Sequence, residues 1–296
     1  MKPSDLTSRV APKRLLLATD FSQASEAALP HALTIAGQYG SELFIAHVIC
    51  PEFRDLQPSE TTATMIQHAR GVTEQKLEPL LSAVRQKGIS CQLLIGEGAI
   101  WGVLLDMIHQ NGIDLIIVGT HGRRGLSKLL LGSVAEEVFR MAPCPVLTVG
   151  PQTSETRSMH VKLGHILYPV EFVPDSSDAA AYAVSLAEEY HAKLTYMKVC
   201  EDMVPSPEEK GQIQEPVRRW MDDHIPTGSD LRERTSFELG FGAMAEAILK
   251  FASDRGVDLI VMGVQRLDPV MAAHVPRPDT AYEVVRTAPC PVLTVR

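Results

Sequence analysis

The chain has 296 residues, 45% apolar and 22% charged, with a net charge of −8. That length holds two ordinary domains or one large one, and the composition is that of a globular protein. No uninterrupted apolar run approaches the roughly 20 residues of a membrane helix, and no basic patch interleaved with aromatics favours nucleic acid.

The first half alternates strand and helix signals. Arg14–Thr19 reads as a strand, and Ser22–Tyr39 carries apolar residues at helical spacing. Glu42–Ile49 is a second strand, followed by a helix from about Ser59 to Lys87 with Gly71 as its weak point. Then come the strand Ser90–Ile95, a helix from Ala99 to about Gln110 and the apolar run 114–118, which reads as a buried parallel strand. A glycine-rich stretch, a short amphipathic helix Val134–Arg140 and the strand Val146–Val149 complete the half. The pattern predicts an α/β fold with a five-stranded parallel sheet covered by helices on both faces.

The second half repeats the first. Asp114-Leu-Ile-Ile-Val-Gly119 returns as Asp258-Leu-Ile-Val-Met-Gly263, and Ala142-Pro-Cys-Pro-Val-Leu-Thr-Val149 returns as Ala288-Pro-Cys-Pro-Val-Leu-Thr-Val295. Leu17–Phe21 matches Tyr168–Phe172, and Leu94–Ala99 matches Glu238–Ala243. Two tandem doubly wound domains are expected, at 1–150 and 160–296, joined by a Ser/Thr-rich linker from Pro151 to about Lys162. Charge is divided unevenly. Residues 1–150 hold 13 Lys and Arg against 14 Asp and Glu, and the rest hold 15 against 22. The acidic second half is a poor place for a polyphosphate.

The stretch with chemistry is Gly119-Thr-His-Gly122-Arg123-Arg-Gly-Leu-Ser-Lys-Leu-Leu-Leu-Gly132-Ser133. It lies between a strand and a helix, where open α/β sheets bind ligands. Gly119 and Gly122 allow positive φ, so N–H groups can turn inward around an anion. Gly132-Ser133 opens the helix, where the dipole favours phosphate, and Ser133 would donate its hydroxyl there or cap the helix. A plainer reading is a glycine-rich connection that only turns the chain. The repeat bears on that choice. Gly119 keeps a counterpart in Gly263, but Gly122 falls on Arg266, Gly132 on Pro278 and Ser133 on Asp279. Proline removes a donor and Asp279 would repel a phosphate. The second domain keeps the frame without the cradle.

Gly119-x2-Gly122-x9-Gly132-Ser133, with Ala18-Thr19-Asp20 and the closing Ala-Pro-Cys-Pro-Val, resembles the nucleotide-binding signature of the universal stress protein family, over nearly the whole chain. The resemblance implies strand order 3-2-1-4-5 in each domain, with a crevice between strands one and four. It implies ATP as ligand of the first domain, with or without Mg²⁺, in a stress-response or regulatory protein. By motif position, Ala18, Thr19 and Asp20 would line the adenine and ribose side, and Val48 would pack on the base. Gly119, Gly122, Gly132 and Ser133 carry over to the phosphates, with Thr120, Arg123 and Val134 as neighbours. It also implies pairing of the last strands, making the chain an internal pseudo-dimer, compatible with a further homodimer.

Two other readings remain open. A slow ATPase or phosphotransferase would need a metal-holding carboxylate and a nucleophile-orienting group, and the loop offers only His121. Alternatively, the second domain's loop Gln265–Thr280 would take another ligand or an unknown protein partner. Cys50, Cys91, Cys144, Cys200 and Cys290 form no CxxC pair or metal spacing, and Cys144 and Cys290 read as inert buried thiols. Gly96-Glu-Gly98 and Gly240-Phe-Gly242 read as loops before helices. Met1–Pro12 lacks the apolar core of a secretory leader, so a cytoplasmic protein without membrane attachment is expected.

Overall fold

The computed structural model describes residues 10–50, 60–120, 131–150, 161–170, 177–201, 206–264 and 280–296. They fall into two units, Pro12–Val161, and Met1–Ala11 together with Lys162–Arg296.

The first unit runs β1 Arg14–Ala18, α1 Gln23–Tyr39, β2 Glu42–Ile49, α2 Glu60–Gln86, β3 Cys91–Glu97, α3 Ile100–Asn111, β4 Leu115–Gly119, α4 Ser133–Met141 and β5 Val146–Val149. Its strands are all parallel, in the order β3-β2-β1-β4-β5. The second unit runs β6 His165–Pro169, α5 Ser177–Glu189, β7 Lys193–Cys200, α6 Pro207–His224, β8 Thr235–Phe241, α7 Met244–Arg255, β9 Leu259–Gly263, α8 Thr280–Thr287 and β10 Val292–Val295. Its order is β8-β7-β6-β9-β10, again parallel. The expected 3-2-1-4-5 arrangement therefore occurs twice.

Beyond Arg14 and His165, which open β1 and β6, the central strands are apolar because helices bury both faces of each sheet. Leu15, Leu16, Leu17, Leu43, Ile45, Ile116 and Ile117 are buried in the first unit, and Ile166, Leu167 and Leu194 in the second. The acidic residue before each fourth strand also belongs to the frame. The Asp114 carboxylate accepts from the amides of Lys13 and Arg14 at 2.9 and 3.2 Å, and that of Asp258 from Gly164 and His165 at 2.8 and 2.9 Å. Each carboxylate thus fixes the entry of the first strand of its sheet.

Two glycine pairs read as loops are placed differently. Gly96 lies within β3 and Gly240 within β8. A Cβ on Gly96 would collide with Val103, and one on Gly240 with Met197. These glycines admit a close neighbour, whereas Gly98 and Gly242, at φ +129° and +92°, make the turns. Gly71 does not interrupt α2.

Candidate nucleotide site

The strand order reverses between β1 and β4. The chain leaves β1 toward β2 on one side and returns from β3 to β4 on the other, so a crevice opens at the C-terminal ends of β1 and β4. Ala18, the last residue of β1, sits in register between Ala46 and Val118. Here the structure brings together most of the sequence-predicted residues.

Beyond Ala18 the chain makes a tight turn before α1. The Thr19 amide donates to the Ala46 carbonyl at 2.9 Å, continuing the sheet ladder by one residue. The Phe21 amide donates to Thr19 Oγ1 at 3.2 Å, and the Ser22 amide to Asp20 Oδ1 at 2.9 Å. Ser22 caps α1 by accepting from the Ser25 amide, while Ser25 Oγ donates to the Ser22 carbonyl at 2.9 Å. Because that bond uses the Ser25 proton, Thr19 is the donor in its 3.1 Å contact with Ser25 Oγ. The Thr19 side chain is therefore engaged in shaping the turn that contains Asp20. Phe21 adopts φ 61°, a left-handed conformation costing a non-glycine residue about 1–2 kcal/mol.

Sequence reasoning singled out neither Phe21 nor His47. His47 is buried on β2, and its Nδ1 lies 2.7 Å from the Thr19 carbonyl. A carbonyl only accepts, so Nδ1 carries the proton. The imidazole packs on Phe21 with ring centroids 4.7 Å apart, and Lys76 of α2 stands 5.3 Å from the Phe21 centroid. Only the type of His47 was legible, since strand register decides which way a β2 side chain faces. Val48, its neighbour, is half-buried near the C-terminal end of β2 and pairs with Gly96.

On the β4 side the Thr120 amide donates to the Val149 carbonyl at 2.9 Å, and the Gly132 amide donates to the Thr120 carbonyl at 2.7 Å. The second bond closes the loop between them and holds the start of α4 at the end of β4. Gly132, not Ser133, is the N-cap, and no side chain caps this helix. Ser133 is its first residue and is exposed, with Val134 half-buried beside it. An uncapped helix N-terminus presents amide donors and the positive end of a dipole. Glu136, in that first turn, is held by Arg140 at 3.0 Å.

Gly119 has a different role from the one its flexibility suggests. Its φ is not in the left-handed region, and a Cβ there would lie 2.5 Å from Ala24 backbone atoms. It is glycine so that α1 can start against the end of β4. Gly122 and Arg123 lie outside the described residues, as do His121 and the second-unit loop residues 265–279. No group of three His, Cys, Asp or Glu side chains able to hold a metal occurs among the described residues.

The second unit provides an internal comparison. The Val170 amide donates to Met197 at 2.8 Å and the Val264 amide to Val295 at 2.8 Å, repeating the bonds of Thr19 and Thr120. Val170 has no hydroxyl to build the turn of Thr19, and Pro278 has no amide to repeat the bond of Gly132.

A model described as the universal stress protein family matches residues 12–150 and again 162–296. Among curated relatives, universal stress protein MJ0531 of Methanocaldococcus jannaschii is 29% identical over 138 residues, 46% of this chain and 81% of that one. MJ0577 of the same organism is 27% identical over 159 residues, 48% of this chain and 97% of that one. Each match spans about half of this chain. A solved universal stress protein from Archaeoglobus fulgidus shares the fold over both units, with TM-score 0.73 and 19% identity, covering 96% of this chain and 98% of that one. The two matched segments each contain one complete doubly wound sheet, and the chain belongs to the universal stress protein family as a tandem of two of its domains.

Proposed function

We propose that this is an adenine-nucleotide-binding stress-response or regulatory protein, with ATP held by the first unit and the second unit acting as a structural or regulatory half. The observation that carries this reading is the bond from the Gly132 amide to the Thr120 carbonyl. It brings an uncapped helix start to the end of β4, next to the β1 end that carries Asp20. Amide donors at such a helix start suit phosphates. A carboxylate at the β1 end suits the hydroxyls of a ribose or the amine of adenine. The donor set therefore fits a nucleotide, with Ala18 and Val48 as apolar neighbours for the base.

The test is Ser133→Asp, the change that the second unit carries at Asp279. An acidic residue in the first turn favours the helix but repels a phosphate held there. Calorimetric titration with ATP should give about one site per chain in the wild type. In the variant, affinity should fall at least ~10-fold, about 1.4 kcal/mol, with no loss of thermal stability. Unchanged binding would remove the α4 terminus from the site. Mass spectrometry of small molecules released from the native protein would identify which nucleotide it retains.

A further inference from the structure

We propose that His47 is a positioning residue of the nucleotide site, holding the Thr19–Phe21 turn so that Asp20 stays in the crevice and the nucleoside half of the ligand is recognised. This rests on the nucleotide reading above. β2 grips both polar groups of the Thr19 backbone: the Ala46 carbonyl takes its amide at 2.9 Å, and His47 Nδ1 donates to its carbonyl at 2.7 Å. The first grip is ladder geometry and recurs in the second unit between Val170 and Met197. The second depends on a side chain, and the second unit has Lys198 at the position of His47.

The same imidazole packs on Phe21 at 4.7 Å, and Lys76 covers that ring from α2. Phe21 is the residue of this turn with left-handed φ, and its amide and that of Ser22 bond back to Thr19 and Asp20. Holding Phe21 in this conformation keeps the Asp20 carboxylate where its Oδ1 accepts from the Ser22 amide at the β1 end of the crevice. His47 thus acts on the nucleoside end through Asp20 and has no role at the α4 end, where Gly132 and Ser133 sit. Affinity should divide accordingly, the nucleoside share depending on His47 and the phosphate share not.

The experiment uses the full chain and two probes, ATP and inorganic tripolyphosphate, each measured by competition against a fluorescent ATP analogue. His47→Leu should lose about 10-fold in ATP affinity, the worth of one buried hydrogen bond to a fixed partner, while tripolyphosphate affinity stays within about 2-fold of wild type. His47→Asn carries an N–H close to the place of Nδ1 and should restore ATP affinity to within about 3-fold. An unchanged ATP affinity in His47→Leu, an equal loss for both probes, or failure of Asn to rescue would overturn the positioning role while nucleotide binding stands. Absence of ATP binding in the wild type would overturn both readings, and is distinguished because it needs no variant.

Discussion

His31 lies on the buried face of α1, and burial lowers its pKa from 6.5 to about 4. The folded state resists protonation there while the unfolded chain accepts it, so the unfolded state binds more protons between those two values. Stability is then complete above pH ~6.5, falls as the pH drops toward 4, and levels off below it. At pH 5 the cost from this residue is about 2 kcal/mol. His165 in the second unit is also shifted down, chiefly by burial, and acts in the same direction. Urea unfolding at pH 7.5 and pH 5 should show the midpoint of the first unit falling, and His31→Gln should flatten that fall. An equal slope in the variant would assign the acid sensitivity elsewhere. The thiols show the same physics in the other direction, Cys91 and Cys290 being buried and Cys144 half-buried. Desolvation pushes Cys144 and Cys290 up to about 12 and Cys91 up to about 11, which keeps them protonated at neutral pH; the burial expected from the sequence for Cys144 and Cys290 is met in full only at Cys290.

At the scale of elements, the close approach of β4 to the start of α1 separates frame from site. A methyl group on Gly119 would stand 2.5 Å from the carbonyl carbon and oxygen of Ala24 and 2.8 Å from the Ser25 amide. These are backbone atoms of a buried helix and cannot yield as a side chain would. Gly119→Ala should cost about 2 kcal/mol or more, in the range of overpacked cores. Gly102→Ala, with open space around its exposed helical position in α3, should be neutral or stabilising by up to ~1 kcal/mol. Paired thermal melts would check both, and equal effects would undo the packing argument. The same contrast explains what could be read from the sequence. Strands such as β1 and β4 were legible because burial on both faces leaves no choice but apolar residues. The special standing of Gly132-Ser133 was legible because the repeat replaces both residues while keeping the strands. The exact helix start was not, since Ser and Gly both serve at a cap, and only backbone geometry separates N-cap from first turn. Nor was the β2 clamp. A histidine within an apolar strand gives no sign of its facing until register is fixed, and a left-handed Phe21 has no sequence mark at all.

For the whole molecule, the repeat reaches beyond the two sheets into the segments that precede them. The Val10 amide donates to Ser185 Oγ at 2.9 Å, and the Val161 amide donates to Thr34 Oγ1 at 3.2 Å. Val10 and Val161 are 151 residues apart, and so are Thr34 and Ser185, the same spacing that relates Arg14 of β1 to His165 of β6. The two bonds are therefore one feature occurring twice, a leading segment tied to a helix hydroxyl. By contacts, Val10 belongs to the unit that contains Ser185, and Val161 to the unit that contains Thr34. A continuous boundary between halves cannot describe this, because Val10, ahead of Pro12, is tied into the later unit. Ser185 is buried and its bond shorter, so Ser185→Ala should cost about 1–2 kcal/mol, the penalty for leaving a part-buried amide without its acceptor. Thr34→Val, at a half-buried site with a longer bond, should cost about 0.5–1 kcal/mol. Amide hydrogen exchange gives the sharper readout. Exchange at Val10 should accelerate in Ser185→Ala and not in Thr34→Val, and exchange at Val161 should do the reverse. If either substitution accelerates both amides equally, the two ties are coupled through global unfolding and do not hold their segments independently.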